Sequence, residues 1–126
     1  MKNLNWKMMP RLALGFVFLL FGLNGLMQFL PLPAPSAEGG ALLGAIGASG
    51  YMFPMVKITE IGAAILLCLD RYVNLALVLL APIVVNVFAF HFFLDQAGLP
   101  IALLVLALWT WMVWERKENY SILLDK

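Results

Sequence analysis

The chain has 126 residues, 63% of them apolar and 12% charged, with a net charge of +1. Soluble domains average about 45–50% apolar and 25% charged residues, so a water-soluble domain is excluded and a lipid bilayer is the partner that the composition demands. The weak charge excludes nucleic acid as a partner, and one Cys with one His leaves no internal disulfide, no dithiol pair and no His/Cys zinc site.

The length predicts a single domain, residues 1–126, and the hydropathy pattern predicts an all-α membrane protein, a bundle of four transmembrane helices. The first span covers Leu12 to Leu30, stopped by Pro31, Pro33 and Pro35, which cannot continue a helical ladder. Lys2, Lys7 and Arg11 precede it in the manner of a signal peptide, but its apolar run is too long and Ala34-Pro35-Ser36-Ala37 is a poor cleavage site, so the span is read as retained. Between Pro31 and Tyr51 the connection is too long for a tight turn. Ser36 is placed to cap a short extra helix in this first outer loop, with Leu42, Leu43 and Ile46 at helical spacing and Gly40, Gly44 and Gly47 forming an edge suited to close packing.

The second span runs from Tyr51 to Leu69 and the third from Val73 to Leu94, with Asp70-Arg71 breaking the apolar run between them. Asp95 to Pro100 reads as a turn, Pro100 suiting the first turn of a fourth span from Leu99 to Trp114. With four spans, Lys2, Lys7, Arg11, Arg71, Arg116, Lys117 and Lys126 fall on one side, and the opposite loops carry only Glu38 and Asp95. The positive-inside rule then predicts a multi-pass protein of the cell (inner, cytoplasmic) membrane with both termini cytoplasmic, and Trp6, Trp109, Trp111 and Trp114 form an aromatic belt at that interface.

Lys57 and Glu60 are the exceptions to this pattern, because they lie inside the second span. A charge at the centre of a membrane helix costs about 2.5–3.5 kcal/mol on insertion scales. Spaced i and i+3, the two share a helix face and can neutralise each other if turned inward. At a rise of about 1.5 Å per residue, Asn24, Lys57 and Asn86 reach nearly one level just above the midplane, with Gln28 and His91 nearer the outer surface. Asn24, Gln28, Lys57, Glu60, Asn86 and His91 are therefore the candidate ligand-binding cluster. Two readings stay open for the neutral members: interhelical glue, or part of a site. His91, in "VFAFHFFLD", is either an interfacial residue facing water or a proton-handling group at the mouth of the cluster, where it would make ligand affinity vary between about pH 5 and 8. Pro82, in "LLAPIVVN", removes a backbone hydrogen bond just below Asn86 and favours a kink there. Cys68 reads as a packing residue or a weakly reactive thiol.

Three stretches, "FGLNGLMQFLP" (21–31), "SGYMFPMVKITEIGAAILL" (49–67) and "LLAPIVVNVFAFH" (79–91), resemble the DoxX family of small bacterial and archaeal membrane proteins, in particular its DoxX-like branch. The resemblance extends from about Arg11 to Trp114 and implies a four-helix membrane bundle. It also implies an association with redox chemistry: namesake members look like membrane subunits of thiosulfate:quinone oxidoreductase, and others are linked to thiol and oxidative-stress complexes. Gln28 departs from the pattern, standing where many relatives have a His, and the absence of a Cys pair separates the chain from membrane thiol oxidoreductases.

Three functions follow as expectations. The first is a quinone-linked or redox-associated membrane subunit, in which a quinone carbonyl accepts from Lys57 or His91 with Glu60 as proton partner. With no dithiol and no pair of haem ligands in the chain, this reading requires a partner membrane or redox protein. The second is a non-catalytic scaffold or accessory subunit, self-associated as a homo-oligomer or bound to a larger protein. The third is a binder or transporter of a small metabolite, for which four helices without an inverted repeat are few.

Overall fold

The computed structural model describes residues 8–125; Lys2, Trp6, Lys7 and Lys126, counted above toward the basic side and the aromatic belt, lie outside them. The described chain is helical, with no strand. It comprises α1 (Met8–Met27), α2 (Ala37–Ala48), α3 (Met52–Leu69), α4 (Val73–Phe93), α5 (Leu99–Glu115) and the short α6 (Lys117–Tyr120), with single 3-10 turns at Gln96–Gly98 and Ser121–Leu124. Four helical stretches are long and apolar enough to cross a membrane: α1, α3, α4 and α5 together with the turn before it. That turn lengthens the fourth stretch to 20 residues, Gln96–Glu115, so it begins three residues before the predicted Leu99.

Successive long helices run antiparallel and close into a ring, α1 packing on α3 and α5, α3 on α4, and α4 on α5. The basic end of the ring carries Arg11, Arg71 and Arg116, and the far end carries α2 and the α4–α5 turn. The core is a column of small and aliphatic side chains, including Leu14, Ala64, Leu67, Leu77, Leu80 and Val105. Outward-facing Phe16, Ile58, Val85 and Leu104 are exposed on the same helices, a distribution that suits lipid and not water.

Glycines set the closest approach. A Cβ on Gly15 of α1 would stand 2.9 Å from Cys68 Sγ and 3.3 Å from Leu67 Cβ, and one on Gly22 would stand 2.8 Å from Ile61 Cγ1. Their bare backbone lets α1 and α3 come into contact, as small residues do between membrane helices.

The first helix starts and ends earlier than its hydropathy suggests. Arg11, predicted to flank it, lies inside, because Pro10 is tolerated in the first turn, where backbone N–H groups need no helical acceptor. At the other end α1 stops at Met27 and not at Leu30. Gln28 adopts φ 54°, and the Asn24 carboxamide folds back on Leu30, accepting from its N–H at 2.7 Å and donating to its carbonyl at 3.2 Å. The prolines at 31, 33 and 35 therefore follow a helix already closed by a side chain.

Ser36 caps α2 as expected, accepting from Gly39 N at 3.1 Å while its hydroxyl donates to the Leu94 carbonyl at the end of α4. This ties the first turn of α2 to the α4–α5 corner. The glycine edge predicted to pack closely is open over most of its length: a Cβ on Gly40 would meet Pro35 Cγ at 3.7 Å, but one on Gly44 or Gly47 would meet nothing within 4 Å among the described residues.

At the basic end, Trp109 Nε1 donates to Leu77 O at 2.9 Å, Arg116 donates to Asn74 Oδ1 at 3.2 Å, and the Tyr120 hydroxyl donates to Asn74 O at 2.9 Å. Burial raises the Tyr120 phenol above its ordinary 10.0, opposed by the Arg116 cation. The folded state thus holds this proton more tightly than the unfolded one, and the stability it contributes is present below pH 10 and lost as pH rises beyond it. Thermal unfolding followed between pH 8 and pH 11 should show a loss at the alkaline end that Tyr120→Phe abolishes.

Candidate functional site

The ion pair is real and lies in the α1–α3 seam. Lys57 Nζ is 3.2 Å from Glu60 Oε2, and the Glu60 side chain is 6% exposed against 18% for Lys57. One helical turn of α3 aligns the two groups, and α1 makes room for them. Gly25 has no side chain, and a Cβ there would fall 2.5 Å from Lys57 Cε, so the lysine stem lies along the backbone of α1. Lys57 Nζ also sits 5.3 Å from the centre of the Phe53 ring, a cation–π contact that partly replaces water. Turned to lipid, each charge would go uncompensated; turned to the seam, they cancel.

A side chain at Gly25 is the direct probe of this geometry. Gly25→Val should displace the Lys57 stem, lengthen the ion pair and cost about 1–3 kcal/mol by overpacking. Gly62→Ala on the exposed side of α3, where a Cβ meets nothing within 4 Å, should be neutral or slightly stabilising. Thermal unfolding of the two variants in nanodiscs gives the comparison.

The other candidates do not converge on the pair. Asn24 is buried at the expected depth, but both of its polar atoms are bonded to Leu30 and none to Lys57 or Glu60. Gln28 is exposed, in the left-handed turn that ends α1. Asn86 is exposed on the outside of α4, its amide donating to Pro82 O at 2.8 Å within the same helix. The expected gathering of Asn24 and Asn86 around Lys57 is therefore corrected. Depth along a helix specifies a level and not a direction, and Asn86 lies two residues, about 200°, around α4 from buried Val84.

His91 Nδ1 is 3.0 Å from the Asp95 carbonyl. A carbonyl only accepts, so Nδ1 carries the proton in this bond. The ring lies over Gly98, where a Cβ would be 2.3 Å from it. His91 therefore braces the α4–α5 corner, and its bond goes to that corner and not to the ion pair.

Arg11 is a structural partner that its place before the first span did not suggest. Arg11 is 8% exposed, and its guanidinium donates to Leu67 O at 2.5 Å and Cys68 O at 3.3 Å, with Asp70 at 3.7 Å. It caps the C-terminus of α3, adding a charged donor to the Leu67 carbonyl, which also accepts from Asp70 N at 3.3 Å, and one to the Cys68 carbonyl in the last turn. Near it is a cavity of about 330 Å³ lined by Pro10, Arg11, Asp70, Trp111, Glu115 and Arg116 among others. A shallow apolar groove on α5, between Leu103 and Trp114, accounts for a further volume of about 600 Å³. None of the six candidate residues lines either one. The described residues hold no group of three or more His, Cys, Asp or Glu placed to share a metal ion.

Spanning-length apolar helices in a closed ring, with an internally neutralised ion pair between two of them, define an integral membrane helical bundle in contact with the bilayer. Comparison with family models, with curated proteins and with solved structures finds no match.

Proposed function

We propose that the chain is a DoxX-like membrane subunit acting as a scaffold or accessory component of a larger membrane complex, inserted in the cytoplasmic membrane with both termini inside. The observation that supports this best is the self-sufficiency of its intramembrane charges. Lys57 and Glu60 bond each other in a seam that Gly25 shapes for them, while Asn24 and His91 are bound to backbone at the helix ends. The basic side chains at one end support the orientation.

A quinone-linked redox subunit is the second reading. It rests on the resemblance and on the residual exposure of the Lys57 side chain, which leaves N–H donors for a carbonyl. Purification from native membranes in a mild detergent separates the two. The scaffold reading expects a co-purified membrane protein and no quinone at stoichiometric level in the organic extract. Stoichiometric quinone that disappears in Lys57→Met would replace it with the quinone reading.

A further inference from the structure

Asn86 is a carboxamide facing out of a membrane-spanning helix. It lies roughly 20 Å from the Val73 end of α4, well inside the hydrocarbon region of a spanning helix. One N–H of its amide goes to Pro82 O. The other N–H, and Oδ1, have no partner among the described residues. In lipid no water is available to supply one, and an unpaired carboxamide is costly. The other neutral polar side chains at depth do not share this position: Asn24 is bonded at both ends, and the Thr59 hydroxyl donates to Met55 O. Beside Asn86 the same outward stripe carries Leu75, Val78, Pro82 and Val85, all exposed. Proline has no N–H, so Pro82 also leaves the Val78 carbonyl without its usual helical donor.

We propose that this stripe of α4 is a self-association face, and that its occupant is a second copy of the chain. Two copies inserted in the same direction hold Asn86 at the same depth, so a two-fold axis along the membrane normal brings the two carboxamides together. The free N–H of each then donates to the free Oδ1 of the other. A carboxamide carries donor and acceptor in equal measure and no charge, so it is complementary to itself, as an isologous interface requires. The apolar residues on either side supply the packing that membrane helix pairs depend on. The proposal does not rest on the scaffold reading; it concerns a different face from the ion pair.

Energy transfer between copies labelled at Asp125→Cys, in a Cys68→Ser background, tests this in phosphatidylethanolamine/phosphatidylglycerol liposomes diluted with lipid. The unmodified face should give a dimer. Asn86→Val should weaken it about tenfold and Asn86→Gln should keep it, with the melting temperature in dilute detergent unchanged, since the side chain is exposed and its hydrogen bond stays within its own helix. Val85→Cys should cross-link between copies on oxidation, and Leu104→Cys on the lipid face of α5 should not. A monomer at all dilutions, a dimer indifferent to Asn86→Val, or cross-linking through Leu104→Cys alone would overturn the proposal.

Discussion

Glu60→Ala is expected to lower stability by about 3–5 kcal/mol, among the largest losses for any single substitution in the chain. The carboxylate is buried and 3.2 Å from Lys57 Nζ, and its removal leaves an ammonium in a seam between two apolar helices. Lys57→Met should be damaging too, because it strands the Glu60 carboxylate, the more deeply buried of the two groups. The double replacement Lys57→Met with Glu60→Leu should be less damaging than Glu60→Ala alone, since no uncompensated charge remains. Reversible unfolding in mixed micelles of the unmodified chain, Lys57→Met, Glu60→Leu and their combination measures the coupling. Additive losses would mean that the pair is not an energetic unit.

Arg11→Met is expected to cost about 1.5–3 kcal/mol, the range for hydrogen bonds from a charged donor. The loss belongs to the cap and not to the ion pair: Asp70 is 62% exposed, and pairs so exposed are worth about 0–1 kcal/mol. Asp70→Asn should therefore leave the melting temperature nearly unchanged, while Arg11→Met lowers it and increases hydrogen exchange at the end of α3. Equal losses from the two variants would assign the contribution to the salt bridge instead.

Much of this architecture was legible in the sequence. Prolines, the Asp70-Arg71 break and the turn before Pro100 delimit the spans to within a few residues. The i,i+3 spacing of Lys57 and Glu60 foretold their pairing. Azimuth was not legible. In a helix as uniformly apolar as α4, Leu77 faces the core and Leu75 faces outward, because lipid accepts leucine as readily as a core does. With no hydrophobic face to orient it, Asn86 was assigned by depth alone to the wrong side of its helix. Arg11 was obscured for a related reason: a basic residue at a helix start reads as an interfacial anchor, and only the packing of α1 on α3 shows that it reaches carbonyls of another helix. Asn24 had the right depth and burial, but its partner is the turn six residues on, a local bond that competes with any long-range one.

The four-span topology is tested most directly by single cysteines at Glu38, Gln96 and Asn119, each in a Cys68→Ser background, exposed in intact cells to a membrane-impermeant maleimide. The four spans and the proposed orientation predict labelling at positions 38 and 96 from outside and protection at 119 until the membrane is opened. Labelling of 119 together with either of the other two in sealed cells would contradict the arrangement of the bundle.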